Sequence, residues 1–176
     1  MSKLKKLFGK PDDEHIKELM RLIESQSKAT IAKWCLDYAE KEFLPLYKKY
    51  HPNDDRPMMA LKASRDWFLG LKKLPEVRKI ILHECHQAAR ENEDNPVAQA
   101  AARTIGQASA CFHTPTHSLG LAFYGGAAVA YEKLGLSANL DENEKVAREE
   151  VLKMTKALRD ISVENEPNKV KINWNC

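Results

Sequence analysis

Long apolar runs are missing from this chain. The longest, Leu119 to Tyr131, has 13 residues, short of the roughly 20 that a helix needs to cross a bilayer, so no membrane span is expected. The start, MSKLKKLFGKPDDE, sets lysines around Leu4, Leu7 and Phe8 without the apolar core or small-residue cleavage site of a signal peptide. A cytoplasmic location is expected. Cysteine is scarce, and Cys35, Cys85, Cys111 and Cys176 stand far apart with no C-x-x-C pair, which suits reduced thiols better than a disulfide framework or a zinc ribbon. A surplus of one charge is absent too: 28 basic residues face 25 acidic ones with the signs interspersed, and a net charge of +3 does not by itself hold nucleic acid. Also missing are G-x-x-x-x-G-K-[ST], G-x-G-x-x-G after a strand and G-x-S-x-G, so phosphate cradles and nucleophile elbows lack sequence support.

Residues that favour strands are few. Val, Ile and Thr together supply 20 positions, whereas Ala, Leu, Glu, Lys and Arg fill 83 of 176, a balance that predicts an all-α chain. The expected architecture is a single domain over 1–176: a basic arm at 1–10, a helical core of about six to seven helices over 12–162, and an extended tail at 163–176. Pro11-Asp12-Asp13 opens the first helix, which turns Ile16, Leu19, Met20 and Ile23 inward, and Ser27 caps a second that kinks or stops near Pro45. A third starts at His51-Pro52-Asn53-Asp54-Asp55-Arg56-Pro57, with Asp55 as its cap, and ends near Gly70. Pro75 opens a fourth, whose wheel puts Val77, Ile80, Ile81, Glu84 and Ala88 on one face and His83 and His86 away from it.

Asn95-Pro96 starts a long helical region that Pro115 interrupts and Gly135 closes. Its first half has an apolar face of Val97, Ala101, Ile105, Ala108 and Phe112 and a small-residue face of Ala98, Ala102, Gly106 and Ala110 that admits a close neighbour. Gly125-Gly126 reads as close packing or a bend. A last helix from about Asp141 turns Ala147, Val151, Met154, Leu158 and Ile161 inward, while Glu149 and Glu150 read as a solvated face. The tail Lys169 to Cys176 alternates with period two and either packs extended on its own bundle or pairs with another chain.

The chemical candidates are histidines. His113 and His117 are four apart, a spacing that lets two imidazoles share a metal on one helix face. His83-Glu84-Cys85-His86 could add ligands, but its second histidine comes one position too early for H-E-x-x-H, and Pro115 disturbs the other pair. A metal site would therefore draw on His113, His117, His86 and Glu84. The alternative is a packing role, with Glu84 on an apolar face accepting a hydrogen bond from one of the histidines. Cys85 and Cys111 are expected to be inert if buried.

The order of motifs from Asp54 to Leu136 carries more weight than any of them singly. Asp55-Arg56-Pro57 is followed by Ala60-Leu61, Trp67 and Gly70, then His86 with Ala88-Ala89-Arg90-Glu91, Ala100-Ala101-Ala102-Arg103 with Gly106-Gln107-Ala108, and His113, His117 and Leu119-Gly120. Upstream, Trp34, Ala39-Glu40 and Leu44-Pro45-Leu46 extend the pattern. This resembles the immunity proteins of bacterial polymorphic toxin systems, the immunity-five-like family. The resemblance implies a small, cytoplasmic, mostly helical protein that neutralises a cognate toxin by binding it, with no catalytic residues and no cofactor. Candidate partner-binding residues are Asp54, Asp55, Arg56, Glu91, Glu93, Asp94 and Trp174. The slightly basic balance disfavours a nuclease toxin, whose basic cleft calls for an acidic inhibitor. A helical metalloprotein and an assembly module that forms homo-oligomers through its last strand are the competing readings.

Overall fold

The computed structural model describes residues 4–174, is 71% helical and contains no strand among those residues. Met1 to Lys3, Asn175 and Cys176 lie outside the described residues, and with them the last thiol and part of the basic arm. The helices are α1 (Glu14–Glu24), α2 (Lys28–Tyr38), α3 (Leu44–Tyr50), α4 (Arg56–Phe68), α5 (Leu74–Ile80), α6 (His86–Glu91), α7 (Pro96–Ala110), α8 (Ser118–Leu134) and α9 (Leu140–Ile161). A π turn, Ala39–Phe43, runs α2 straight into α3, and a second, Ile81–Cys85, runs α5 into α6. The nine segments therefore form seven rods among the described residues, within the six to seven helices that the sequence pattern predicted.

Local chemistry accounts for most boundaries. Ser27 Oγ accepts from Thr30 N, Asn95 Oδ1 from Ala98 N, and Asn139 closes a capping box with Glu142 that starts α9. At α4 the cap differs from expectation. Asp54, not Asp55, accepts from the Arg56 amide (3.1 Å), because the Asp55 carboxylate is held by Lys48. Gly70 ends α4 at φ +72°, donating to Trp67 O (2.9 Å) while Leu71 donates to Asp66 O (2.8 Å), the two bonds of a Schellman cap. The kink expected at Pro45 is taken up by the π turn before it: proline has no N–H and crowds the carbonyl four residues back, and a widened turn gives that carbonyl room. Pro115 splits the long region into α7 and α8 through a short 3-10 turn, Pro115–His117.

The middle rod is α7. Eleven of its 15 residues are buried, on both faces that the sequence outlined, and it packs against α2, α3, α4, α6, α8 and both π turns. Small side chains permit this closeness. Ser64 Oγ of α4 donates to Ser109 O (2.7 Å), and Cys85 Sγ lies 3.2 Å from Ala102 O. Next door, α8 lies on α9 where Gly126 faces Ala147, and Gly125 makes room for Phe43 and Met154. Two side chains depart from expectation in α9. Ile161 is exposed, since the chain leaves the bundle at Ser162, and Glu150 is buried, held by the Tyr38 hydroxyl (2.7 Å) and Lys153 (3.5 Å). Burial and that carboxylate push the Tyr38 phenol well above its usual range.

Near both ends, the described segments 4–9 and 163–174 are fastened to the bundle. Phe8 is buried edge-on against Tyr131 (5.5 Å between centroids), whose hydroxyl donates to Lys5 O (2.6 Å), and Gly9 N donates to Glu144 Oε2 (2.9 Å). The tail lies extended across the α1–α2 corner. Buried Gln26 pairs with Val163 like a backbone amide, accepting from its N–H (2.7 Å) and donating to its carbonyl (3.2 Å), and Gln26 O accepts from Val170 N (2.9 Å). Val170, Ile172 and Trp174 pack inward at every second position, so the period-two pattern describes a tail laid on its own bundle.

A Cβ at Gly126 would stand 2.9 Å from Ala147 Cβ and 3.3 Å from its Cα. Gly126→Ala must therefore separate α8 from α9, and we expect a loss of about 1–3 kcal/mol in urea unfolding. An unchanged midpoint would show that the two helices part freely.

Candidate functional site

The second π turn decides where the histidines go. Inward positions step by four, Val77, Ile81, Cys85 and Ala89, a spacing that the wide turn brings onto one face but that a uniform wheel does not. Glu84 is thereby rotated to a half-exposed position, where it makes no hydrogen bond or ion pair with a histidine. That corrects the expected contact. His83 is exposed, and His86, expected to point away, instead lays its ring over α7: a Cβ at Gly106 would come within 2.8 Å of its Cε1.

The other two histidines lie at the α7–α8 corner. His117 Nδ1 donates to Gln107 Oε1 (2.6 Å), and Gln107 itself fits only because position 120 is glycine, where a Cβ would stand 2.5 Å from it. His113 meets Thr114 Oγ1 at 2.5 Å, stands edge-on to Phe112 (4.9 Å) and lies 6.1 Å from His117 between ring centroids. Burial holds all three imidazoles below their usual range. Arg90, His117 and Arg103 add to this at His86, and His117, Arg78 and Lys28 add to it at His113. These three imidazoles thus resist protonation, with cations near His86 and His113 and no carboxylate bonded to any of them. Among the described residues no group of three or more His, Cys, Asp or Glu side chains is gathered as a metal would need. Cys35, Cys85 and Cys111 are buried and free, and burial pushes the Cys35 and Cys85 thiols up.

The charged loop forms an internal network. Asp54 Oδ2 accepts from the Tyr47 hydroxyl (2.6 Å) and Arg56 Nη2 (2.8 Å), and Arg56 Nη1 reaches Glu91 Oε2 (2.7 Å). The Arg56 guanidinium holds the Asp54 carboxyl well below the usual carboxylate range, while burial and Asp54 push the Tyr47 phenol up. These contacts tie the α3–α4 loop to the end of α6, so Asp54, Arg56 and Glu91 are already partnered. Asp55 is paired with Lys48, and Trp174 Nε1 donates to Glu24 Oε1 (2.5 Å). Of the expected partner-binding residues, Glu93 and Asp94 stay exposed without an ion pair among the described residues.

One surface was not anticipated. At the end of α4 Phe68 is 43% exposed, Leu69 71% and Leu71 69%. Beside them runs a groove of about 370 Å³ lined by Ala29, Lys33, Leu36, Asp37, Arg65, Phe68 and Leu69. The signal available was Phe-Leu-Gly-Leu at a glycine-capped helix end, which holds more large apolar side chains than the inward face of Ala60, Ala63 and Trp67 requires.

The depressed imidazoles give a sign for acid sensitivity. As pH falls from about 6.5, the unfolded chain takes up protons that the folded His86 and His117 resist, so stability present at pH 7 is lost toward pH 5. A His86→Gln, His117→Gln variant is expected to show a shallower loss than wild type in urea titrations across pH 7.5 to 5. Equal slopes would mean that burial does not penalise protonation there.

Comparison with known proteins supplies the remaining information. Searches of curated proteins and of solved structures return no match. A family model described as Imm-5 like putative immunity protein matches residues 21–157, which extends past the motif run of 54–136 on both sides, from within α1 through most of α9. A match over that share of its length shows that the chain belongs to the Imm-5 like putative immunity protein family.

Proposed function

We propose that this chain is a cytoplasmic, single-domain immunity protein that binds a cognate bacterial toxin and neutralises it by occupancy. It performs no catalysis and calls on no metal or cofactor. The observation that carries the reading is the family match over residues 21–157. Several features of the chain support it. The histidines are organised by packing: His86 is seated over Gly106, and His117 is hydrogen-bonded to Gln107. No helix is long and apolar enough to cross a membrane among the described residues, and the near-balanced charge does not favour nucleic acid.

Occupancy needs area and rigidity more than chemistry. A specific complex buries about 800 Å² on each partner, under a tenth of the 9539 Å² this chain exposes. A bundle whose described end segments are fastened and whose α3–α4 loop is tied presents such a patch with little reordering, which lowers the entropic cost of binding.

Co-expression with the toxin domains of the source genome is expected to yield one whose killing this chain relieves, and that purified pair to elute as a stoichiometric complex with the toxin's intact mass unchanged. Continued killing in the presence of excess folded chain would contradict the reading. A covalent change in the toxin's mass would replace occupancy with catalysis.

A further inference from the structure

We propose that the toxin is engaged by the apolar ledge at the end of α4, formed by Phe68, Leu69 and Leu71, through a protein surface that presents an apolar side chain flanked by carboxylates. The inference rests on the immunity reading above and specifies where and with what chemistry it operates.

The ledge is exposed and also held in place. In a Schellman cap the residue after the glycine usually folds back on its own helix, yet Leu71 remains 69% exposed while both cap bonds are made. Phe68 of the ledge, and Trp67 beneath it, pack on buried Phe112 with centroids 6.2 and 4.7 Å apart. Large side chains on a backbone already fixed by cap bonds, beside a concavity, suit a binding hot spot, because less remains to be ordered on association. The groove beside them has room for one inserted side chain.

Charge around the ledge selects the partner. The carboxylates nearby are already matched: Asp37 by Lys33 and Arg65, Glu40 by Arg65, Glu76 by Lys72. The exposed cations Lys28, Lys73 and Arg78 have no ion-pair partner among the described residues. Lys28 adjoins the groove at Ala29, and both Lys28 and Arg78 act on His113, which abuts Phe112 under the ledge. An apolar centre with a positive rim complements an acidic protein surface. A second copy of this chain would set these cations against one another. A lipid surface is planar and would leave the groove unfilled.

The test measures binding of the purified toxin domain whose killing this chain relieves to four chains, each checked for helicity by circular dichroism. They are wild type, Leu69→Glu with Leu71→Glu, Lys28→Glu with Arg78→Glu, and Leu152→Glu, which alters an exposed leucine on α9. We expect the leucine pair to weaken binding by about thirtyfold or more, the cation pair to slow association and reduce its salt dependence, and Leu152→Glu to bind like wild type. Wild-type affinity in the folded leucine pair would overturn the ledge and leave the immunity reading standing, whereas no binding by wild type would overturn both. A wild-type dimer that the leucine pair dissolves, or sedimentation with phosphatidylglycerol vesicles that the same pair abolishes, would assign the ledge to a second copy or a membrane and overturn the proposal.

Discussion

The structure depends on how closely α7 lets its neighbours approach. A helix surrounded on all sides must offer small side chains, because each large one would push a neighbouring rod outward and open space that water or a void would fill. Ala98, Ala102, Gly106 and Ala110 meet that requirement on one face, and Ala101, Ile105 and Ala108 complete the other. Each alanine buries little area, so the stability comes from the number of rods brought into contact and from polar atoms that close with backbone carbonyls. Ser64 on Ser109 and Trp34 on Met154 are two such closures.

That constraint explains the two π turns. Rods that lie against α7 must keep one face inward along their whole length, and a uniform helix drifts away from a four-residue step. The wide turns at Ala39–Phe43 and Ile81–Cys85 correct the drift where both touch α7. The second of them places Cys85 and His86 against Ala102 and Gly106. The histidines that looked like ligands are therefore positioned by the packing of α7, and the same packing, by excluding water, disfavours their protonation.

What could be read from the chain was whatever is local. Ser27, Asn95, Gly70 and Gly135 mark their helix ends because a capping oxygen or a positive φ acts within a few residues. The tail's alternation likewise survived, since an extended segment on a surface needs only its own period. Glu84 was misplaced because a wheel of constant pitch cannot foresee a π turn, which arises from the rod's contact with α7. The Asp55 side chain does not cap α4 as expected because Lys48, seven residues before it, claims its carboxylate. The ledge was hidden for a related reason: whether Leu69 and Leu71 fold back or stand out depends on what fails to pack over them. Family membership was legible in the order of motifs, as the match over 21–157 shows.

The proposed function divides between a rigid interior to which no chemistry is assigned and one exposed corner to which recognition is assigned. Hydrogen–deuterium exchange on the free chain and on its complex with the toxin domain tests that division directly. The account predicts that Pro96–Ala110 exchanges slowest in both states and that new protection is confined to the α4–α5 corner and the adjoining start of α2. New protection centred on His86 and His117, with none at Phe68 to Leu71, would contradict it.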